Sequence, residues 1–168
     1  SLGMLAKSLF PWAQVLLSDL DSAALSLASE NSQIHAVNGI VRGDLLSWCR
    51  SSCVDIIIAN PPYVDADDMR GRPAEYRHEP GLALAGGEDG LDLVRVLLTD
   101  AARILRSTGL LILEVGNSFE ALDDLSEQLH PIWVELQQGG HGVAVFMAQD
   151  LAQWAASEDT TNSVVSAK

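Results

Sequence analysis

Two near-continuous apolar runs, Val54-Asp55-Ile56-Ile57-Ile58-Ala59 and Leu110-Leu111-Ile112-Leu113-Glu114-Val115, constrain this chain most. A strand that is apolar on both faces belongs inside a parallel sheet covered by helices, because a strand with one wet face would alternate apolar and polar residues. The other segments agree with such a sheet. Residues 3–10 read as the end of a helix stopped by Pro11. Residues 15–18 read as a short strand ending at Asp19, and 23–31 as a helix capped by Asp21 or Ser22. Ile40-Val41 is a weak strand leading to Gly43-Asp44. Leu91, Val94, Leu97, Leu98, Ala101, Ile104 and Leu105 recur at helical spacing, and Gly109 ends that helix. Residues 119–129 form a further predicted helix, stopped by Pro131. Residues 132–136 and 143–147 are closing strands around Gly139-Gly140-His141-Gly142.

Strands alternating with helices of ~10 residues imply right-handed crossovers and a parallel sheet. The last two strands leave no room for a helix between them, so the final one is expected to run antiparallel. The expected fold class is therefore α/β: a doubly wound, mostly parallel sheet with an antiparallel hairpin at one edge. Ligands of such sheets bind outside the carboxyl ends of the strands, and Asp19, Asp44, Asn60 and Glu114 all fall at or near such ends. At 168 residues one domain is expected, over 1–156, with residues 157–168 a Ser/Thr-rich disordered tail. The segment 64–90 shows no period and carries Gly71, Pro73, Pro80, Gly81, Gly86 and Gly87; a connection of that length is functional or disordered.

Charge and cysteines narrow the partners. Ten lysines and arginines against 23 acidic residues give a net charge of −13, which argues against gripping a nucleic-acid backbone. That balance suits a basic protein partner, or it serves solubility alone. No apolar run approaches the ~20 residues of a membrane span, and no signal peptide is evident, so a cytoplasmic protein is expected. Cys49 and Cys53 lie four apart with no second pair; they could form a disulfide or half a metal site, but with no His or Cys cluster near they read as ordinary thiols, and no metal site is expected.

The chemistry concentrates at Asn60-Pro61-Pro62-Tyr63, directly after the first apolar run. An amide nitrogen is a poor nucleophile because its lone pair is delocalised into the carbonyl. The Asn60 side-chain oxygen and the Pro61 carbonyl could accept both hydrogens of a planar nitrogen and hold it in line with an electrophilic methyl group. The two prolines stiffen the loop, so little ordering entropy is lost on binding, and Tyr63 can stack on the planar group. The plain alternative is a proline-rich turn with an Asn cap. Asp19, at the end of a strand, could accept two ribose hydroxyls, or cap a turn. Asp44 could accept from an adenine amino group, or merely end a strand. His78 would be a tempting base, but a lone histidine in a polar loop reads as structural or solvated.

With these residues in view, the chain resembles the Asn-Pro-Pro-Tyr amino-methyltransferases of the S-adenosylmethionine-dependent Rossmann-like class I. More narrowly it is similar to the HemK-type protein-(glutamine-N5) methyltransferases. The resemblance rests on Asn60-Pro61-Pro62-Tyr63-Val64-Asp65-Ala66-Asp67-Asp68-Met69, Glu75-Tyr76-Arg77-His78-Glu79-Pro80 and Ala83-Leu84-Ala85-Gly86-Gly87-Glu88-Asp89-Gly90-Leu91-Asp92. Glu114-Val115-Gly116-Asn117 and Gly140-His141-Gly142-Val143 continue it, and it covers roughly residues 3 to 150. The Glu-Tyr-Arg-His-Glu-Pro form resembles the PrmB-type branch, which acts on large-subunit ribosomal protein L-three. The resemblance implies methyl transfer from S-adenosyl-L-methionine to a glutamine side-chain nitrogen, with no metal and no assigned base. It implies that Asp19 holds the cofactor ribose, that Asp44 lies near the adenine, and that Asn60, Pro61, Pro62 and Tyr63 bind the glutamine beside the cofactor. Glu79 and Pro80 would shape the substrate pocket.

Family members also carry a first strand and an Asp-x-Gly-x-Gly-x-Gly loop, whose glycines let the backbone approach the cofactor. This chain opens at Ser1-Leu2-Gly3-Met4, where that loop would give way to its helix. The sheet is therefore expected to lack that strand and loop, to bind cofactor weakly, and to pair its exposed edges in a homodimer. Two other functions share part of this pattern: a DNA adenine-N6 methyltransferase acting on a flipped base, and a non-catalytic remnant serving as an interaction module.

Overall fold

The computed structural model describes residues 2–61, 91–125, 129–136 and 142–165, with the backbone alone at 117 and 159–165. The chain divides into two compact units, Ser1–Cys49 and Arg50–Lys168, where the sequence leads to one domain.

The first unit holds α1 (Leu2–Leu9), β1 (Leu16–Asp19), α2 (Ser22–His35) and β2 (Gly39–Arg42). β1 and β2 pair in parallel, with Asp19 opposite Arg42, and α2 packs on both strands as a crossover helix should. Asp21 caps α2: its backbone is extended and its side chain accepts the Ala23 N–H at 2.9 Å. The helix runs past Asn31, where the sequence places its end, because no glycine or proline stops it. It closes only where Ala36 turns left-handed (φ 52°) and donates to the Ser32 carbonyl.

The second unit holds β3 (Val54–Ala59), α3 (Asp92–Ile104), β4 (Leu105–Glu114), α4 (Phe119–Leu125), β5 (Ile132–Trp133), β6 (Val143–Met147) and α5 (Ala148–Val165). Its sheet has the order β3-β4-β6-β5. β3 and β4 are parallel, while β6 runs antiparallel to both β4 and β5, the edge arrangement expected from the sequence. One face of the sheet is closed. Ile57, Leu111, Leu113, Ala144 and Phe146 are buried on it, beneath Val94, Leu97, Leu98, Ala101 and Ile104 of α3 and Leu151 and Trp154 of α5. Each fully buried leucine or phenylalanine contributes about 1.5–3 kcal/mol of apolar transfer. On the other face Ile56 and Ile58 remain 54% and 42% exposed, although their run reads as buried on both sides. The other edge of β3 pairs with no described strand.

Besides the end of α2, three boundaries differ from the sequence reading. β4 starts at Leu105, not Leu110: Val54 pairs with Leu105 and Ile56 with Leu110, so residues 106–109 bulge out of the ladder. Gly109 fits there because a Cβ would meet the carbonyls of Asp55 and Arg106 at 3.0 Å. β5 is shorter than predicted, since only Ile132 and Trp133 pair with β6. The backbone of α5 is helical to Val165, beyond residue 157 where a tail was expected.

Candidate active site

The expected site residues fall in both units. In the first unit, Asp19 and Asp44 share the carboxyl edge of the parallel β1–β2 pair. Asp19 ends β1; one carboxylate oxygen accepts the Asp21 N–H at 2.9 Å, and its carbonyl accepts the Gly43 N–H at 3.1 Å. Asp44 follows β2 by two residues. Its carbonyl accepts from the Ser47 N–H (3.2 Å) and hydroxyl (2.9 Å), which closes a tight turn after it. Both aspartates are exposed.

Trp48 fastens this edge. Its indole N–H donates to the Ser18 hydroxyl and to the Leu45 carbonyl, each at 3.1 Å. The ring lies on Gly43 so closely that any Cβ there would stand 2.1 Å from its Cδ1. Leu45 takes a left-handed backbone (φ 45°) inside the turn. The indole therefore ties the end of β1 to the loop that carries Asp44. The sequence reading missed Trp48, Ser18 and Gly43. The available signal was a glycine followed five residues later by an aromatic, which is too common to stand out.

In the second unit, β3 delivers Asn60 exposed and Pro61 buried at its carboxyl end. Ala59 pairs with Leu113, so Asn60 lies level with Glu114. Beyond Glu114 the Val115 N–H donates to the Gly142 carbonyl at 2.7 Å. Gly142 has φ +79°, and a Cβ there would lie 2.3 Å from the Gly116 oxygen. Two motifs far apart in sequence, around Gly116 and Gly142, thus abut beside the strand that carries Asn60. Only glycine permits that contact. Pro62, Tyr63, Glu79 and Pro80 lie outside the described residues.

An open cavity of about 590 Å³ adjoins Gly142 and is floored by Phe119, Trp133, Val134 and Leu136. Phe119 and Trp133 meet edge to face at 6.3 Å. The Trp133 indole N–H donates to Asp123 at 3.0 Å, and Glu135 completes an acidic rim.

Exposed carboxylates side by side at the ends of two parallel strands are suited to accept from hydroxyl and amino donors. This edge therefore fits a nucleoside-bearing cofactor. The comparisons with known proteins point the same way. Residues 1–74 match the methyltransferase small domain. Ribosomal protein uL3 glutamine methyltransferases of Francisella tularensis, Bordetella pertussis and Burkholderia pseudomallei are 35%, 36% and 38% identical to the chain, over 91%, 89% and 89% of it. The chain spans about half of their length: 50%, 51% and 52%. Both units are α/β with parallel strand pairs, the Rossmann-like class of sheet, and the methyltransferase match falls on residues 1–74. Along nearly all of its own length the chain is similar to protein-glutamine methyltransferases, proteins about twice as long as itself.

Proposed function

We propose that the protein in its full length methylates the side-chain amide nitrogen of a glutamine in a large-subunit ribosomal protein, with S-adenosyl-L-methionine as donor. The observation that carries this reading is β3 itself, which presents exposed Asn60 and buried Pro61 at the carboxyl edge of the sheet. The names of the relatives, which specify a glutamine of uL3, support it.

On this reading the Asn60 side-chain oxygen and the Pro61 carbonyl accept the two amide hydrogens of the substrate glutamine. That grip orients the nitrogen lone pair and favours charge on it as a bond forms. Pro61 is anchored by burial, so the acceptors are in place before substrate arrives. Pro62 and Tyr63 wall the planar amide, and Glu79 and Pro80 shape the pocket around it. Asp19 and Asp44 hold the ribose and the adenine of the donor. The donor, when bound, supplies an electrophilic methyl group; the alkylated amide then loses its proton to water, so no protein base is assigned. The reaction fits the cytoplasm, where ribosomes are made. Among the described residues no helix is long and apolar enough to cross a membrane. In the chain as it stands, the edge of β3 that pairs with no described strand is a surface through which two copies would join as a homodimer.

The test is to incubate the full-length protein with ribosomal proteins and methyl-labelled donor and to map the modified residue. Label on glutamine is expected; label on lysine or on nucleic acid overturns the reading. Asn60→Ala should reduce turnover at least ~100-fold, as loss of a group that positions a reacting atom does. Near-normal turnover would remove Asn60 from the mechanism.

A further inference from the structure

The cavity beside Gly142 takes no part in the chemistry above, yet its place and charge give it a use. It lies at the same edge of the sheet as Asn60. Ala59 of β3 pairs with Leu113 of β4, which pairs with Ala144 of β6, which pairs with Trp133 of β5. Asn60 and Val134 each follow that row by one residue, so they are separated by three strand spacings, about 14 Å. An extended peptide covers that distance in about four residues.

The cavity wall has two chemistries. Its floor is apolar, made by Phe119, Trp133, Val134 and Leu136. Val134 and Leu136 are both exposed on it. Its rim is acidic, at Asp123 and Glu135. The acidity is not local chance: the sequence has no lysine or arginine between Arg106 and Lys168, while Glu120, Asp123, Asp124, Glu127 and Glu135 crowd between positions 120 and 135. A groove of this kind takes a side chain with an aliphatic stem and a cationic head. The stem lies on the indole and the valine, and the head reaches the carboxylates. A nucleic acid or an acidic peptide would be repelled there.

We propose that this groove docks a basic, extended segment of the protein substrate, with an arginine or lysine about four residues from the glutamine held at Asn60. The proposal rests on the reading of the substrate as a protein. It adds a selectivity that the Asn60 motif cannot supply, because an amide carries no information about its neighbours. Proteins that pack against RNA are rich in basic residues, so their segments have the complementary charge.

The test separates docking from chemistry by measuring binding without methyl donor. The probes are short fluorescein-labelled peptides in which the target glutamine is replaced by alanine. One carries an Arg-Arg pair about four residues from that position on each side; the other carries Glu-Glu in its place. Anisotropy with the full-length protein at low salt should show the arginine peptide binding roughly tenfold more tightly. The double variant D123N/E135Q should reduce that preference to about twofold or less, as loss of two exposed ion pairs would. Asn at 123 keeps an acceptor for the Trp133 N–H, and both side chains lie on the rim, so the variant is expected to fold; circular dichroism checks it. Equal binding of the two peptides overturns the proposal. A preference that survives the double variant also overturns it, and places the basic segment elsewhere. Because no methyl group moves in this assay, a failure here leaves the glutamine reading standing. Label on a residue other than glutamine would sink that reading without touching the binding result.

Discussion

At the scale of single residues, two side-chain-free positions and one indole matter most. Gly142 sits at φ +79° with its missing Cβ directed at the Gly116 carbonyl. Alanine would add both backbone strain and a clash with main chain that cannot move aside, so G142A should lower the unfolding free energy by about 2 kcal/mol. Urea titration of the parent and the variant reads this; an unchanged midpoint would mean that the two loops do not abut as described. Trp48 invites a subtler substitution. W48F keeps most of the ring over Gly43 but deletes the N–H that joins Ser18 to Leu45. Losing such bonds is worth about 1 kcal/mol each when the geometry they hold is used for binding. If Asp19 and Asp44 bind the donor as proposed, calorimetry of the full-length variant should show donor affinity falling about five- to tenfold. Unchanged affinity would confine Trp48 to packing. Asp21 could be read as the cap of α2 because its role depends only on residues one turn away. Trp48 could not, because its partner on β1, Ser18, lies 30 positions back in sequence.

At the scale of elements, the second unit rests on α3 and α5 closing one face of β4 and β6. Leu98 has no exposure and lies in the middle of α3. L98A should cost about 3 kcal/mol, the lost transfer energy plus a cavity that rigid neighbours cannot fill, and thermal or urea unfolding measures it. The ion pair at the other end of the sheet behaves differently. Arg106 donates to both carboxylate oxygens of Asp55, at 2.8 and 2.7 Å, and this hydrogen bond, with the charge of Asp55, raises the arginine pKa above its ordinary value. A pKa raised on folding contributes stability that is complete below the unfolded value and is lost only as pH climbs through the folded one. For arginine that window lies above about pH 12. R106Q should therefore leave the shape of the stability curve across neutral pH unaltered; a new slope there would show that another group titrates against Asp55. The main strands were legible because apolar residues on both faces leave few other folds for such a run. The start of β4 was not. Residues 106–109 are polar or small and read as a loop, and only the pairing of Val54 with Leu105 shows that the ladder begins before the bulge. Nor was the exposure of Ile56 and Ile58 legible, since burial on the second face of a sheet depends on what packs there and not on the strand's own residues.

At the scale of the whole chain, apolar burial is unevenly shared. Met4 is the buried hydrophobic residue that the first unit contributes among those described, while Trp12 and Ile34 stand 80% and 78% exposed. The second unit holds every other member of the core, from Ile57 to Trp154. A unit with so little buried surface opens at low free-energy cost, because local stability follows the apolar contacts that opening must break. Yet that unit carries Asp19 and Asp44, the residues assigned to the donor. Placing a ligand site on the weaker unit makes its order depend on the ligand. Native-state hydrogen exchange can test both halves of this reasoning. Without ligand, amides of β4 and β6 should be protected at least ~100-fold more than those of β1 and β2, a difference of about 2.7 kcal/mol. Adding S-adenosyl-L-methionine at about a hundred times its dissociation constant should stabilise the binding-competent state by about 2.7 kcal/mol. That gain should appear on β1, β2 and the turn at 44–48. If added donor instead slows exchange only in the second unit, Asp19 and Asp44 do not hold it, and the donor site must be built from the residues after Arg50.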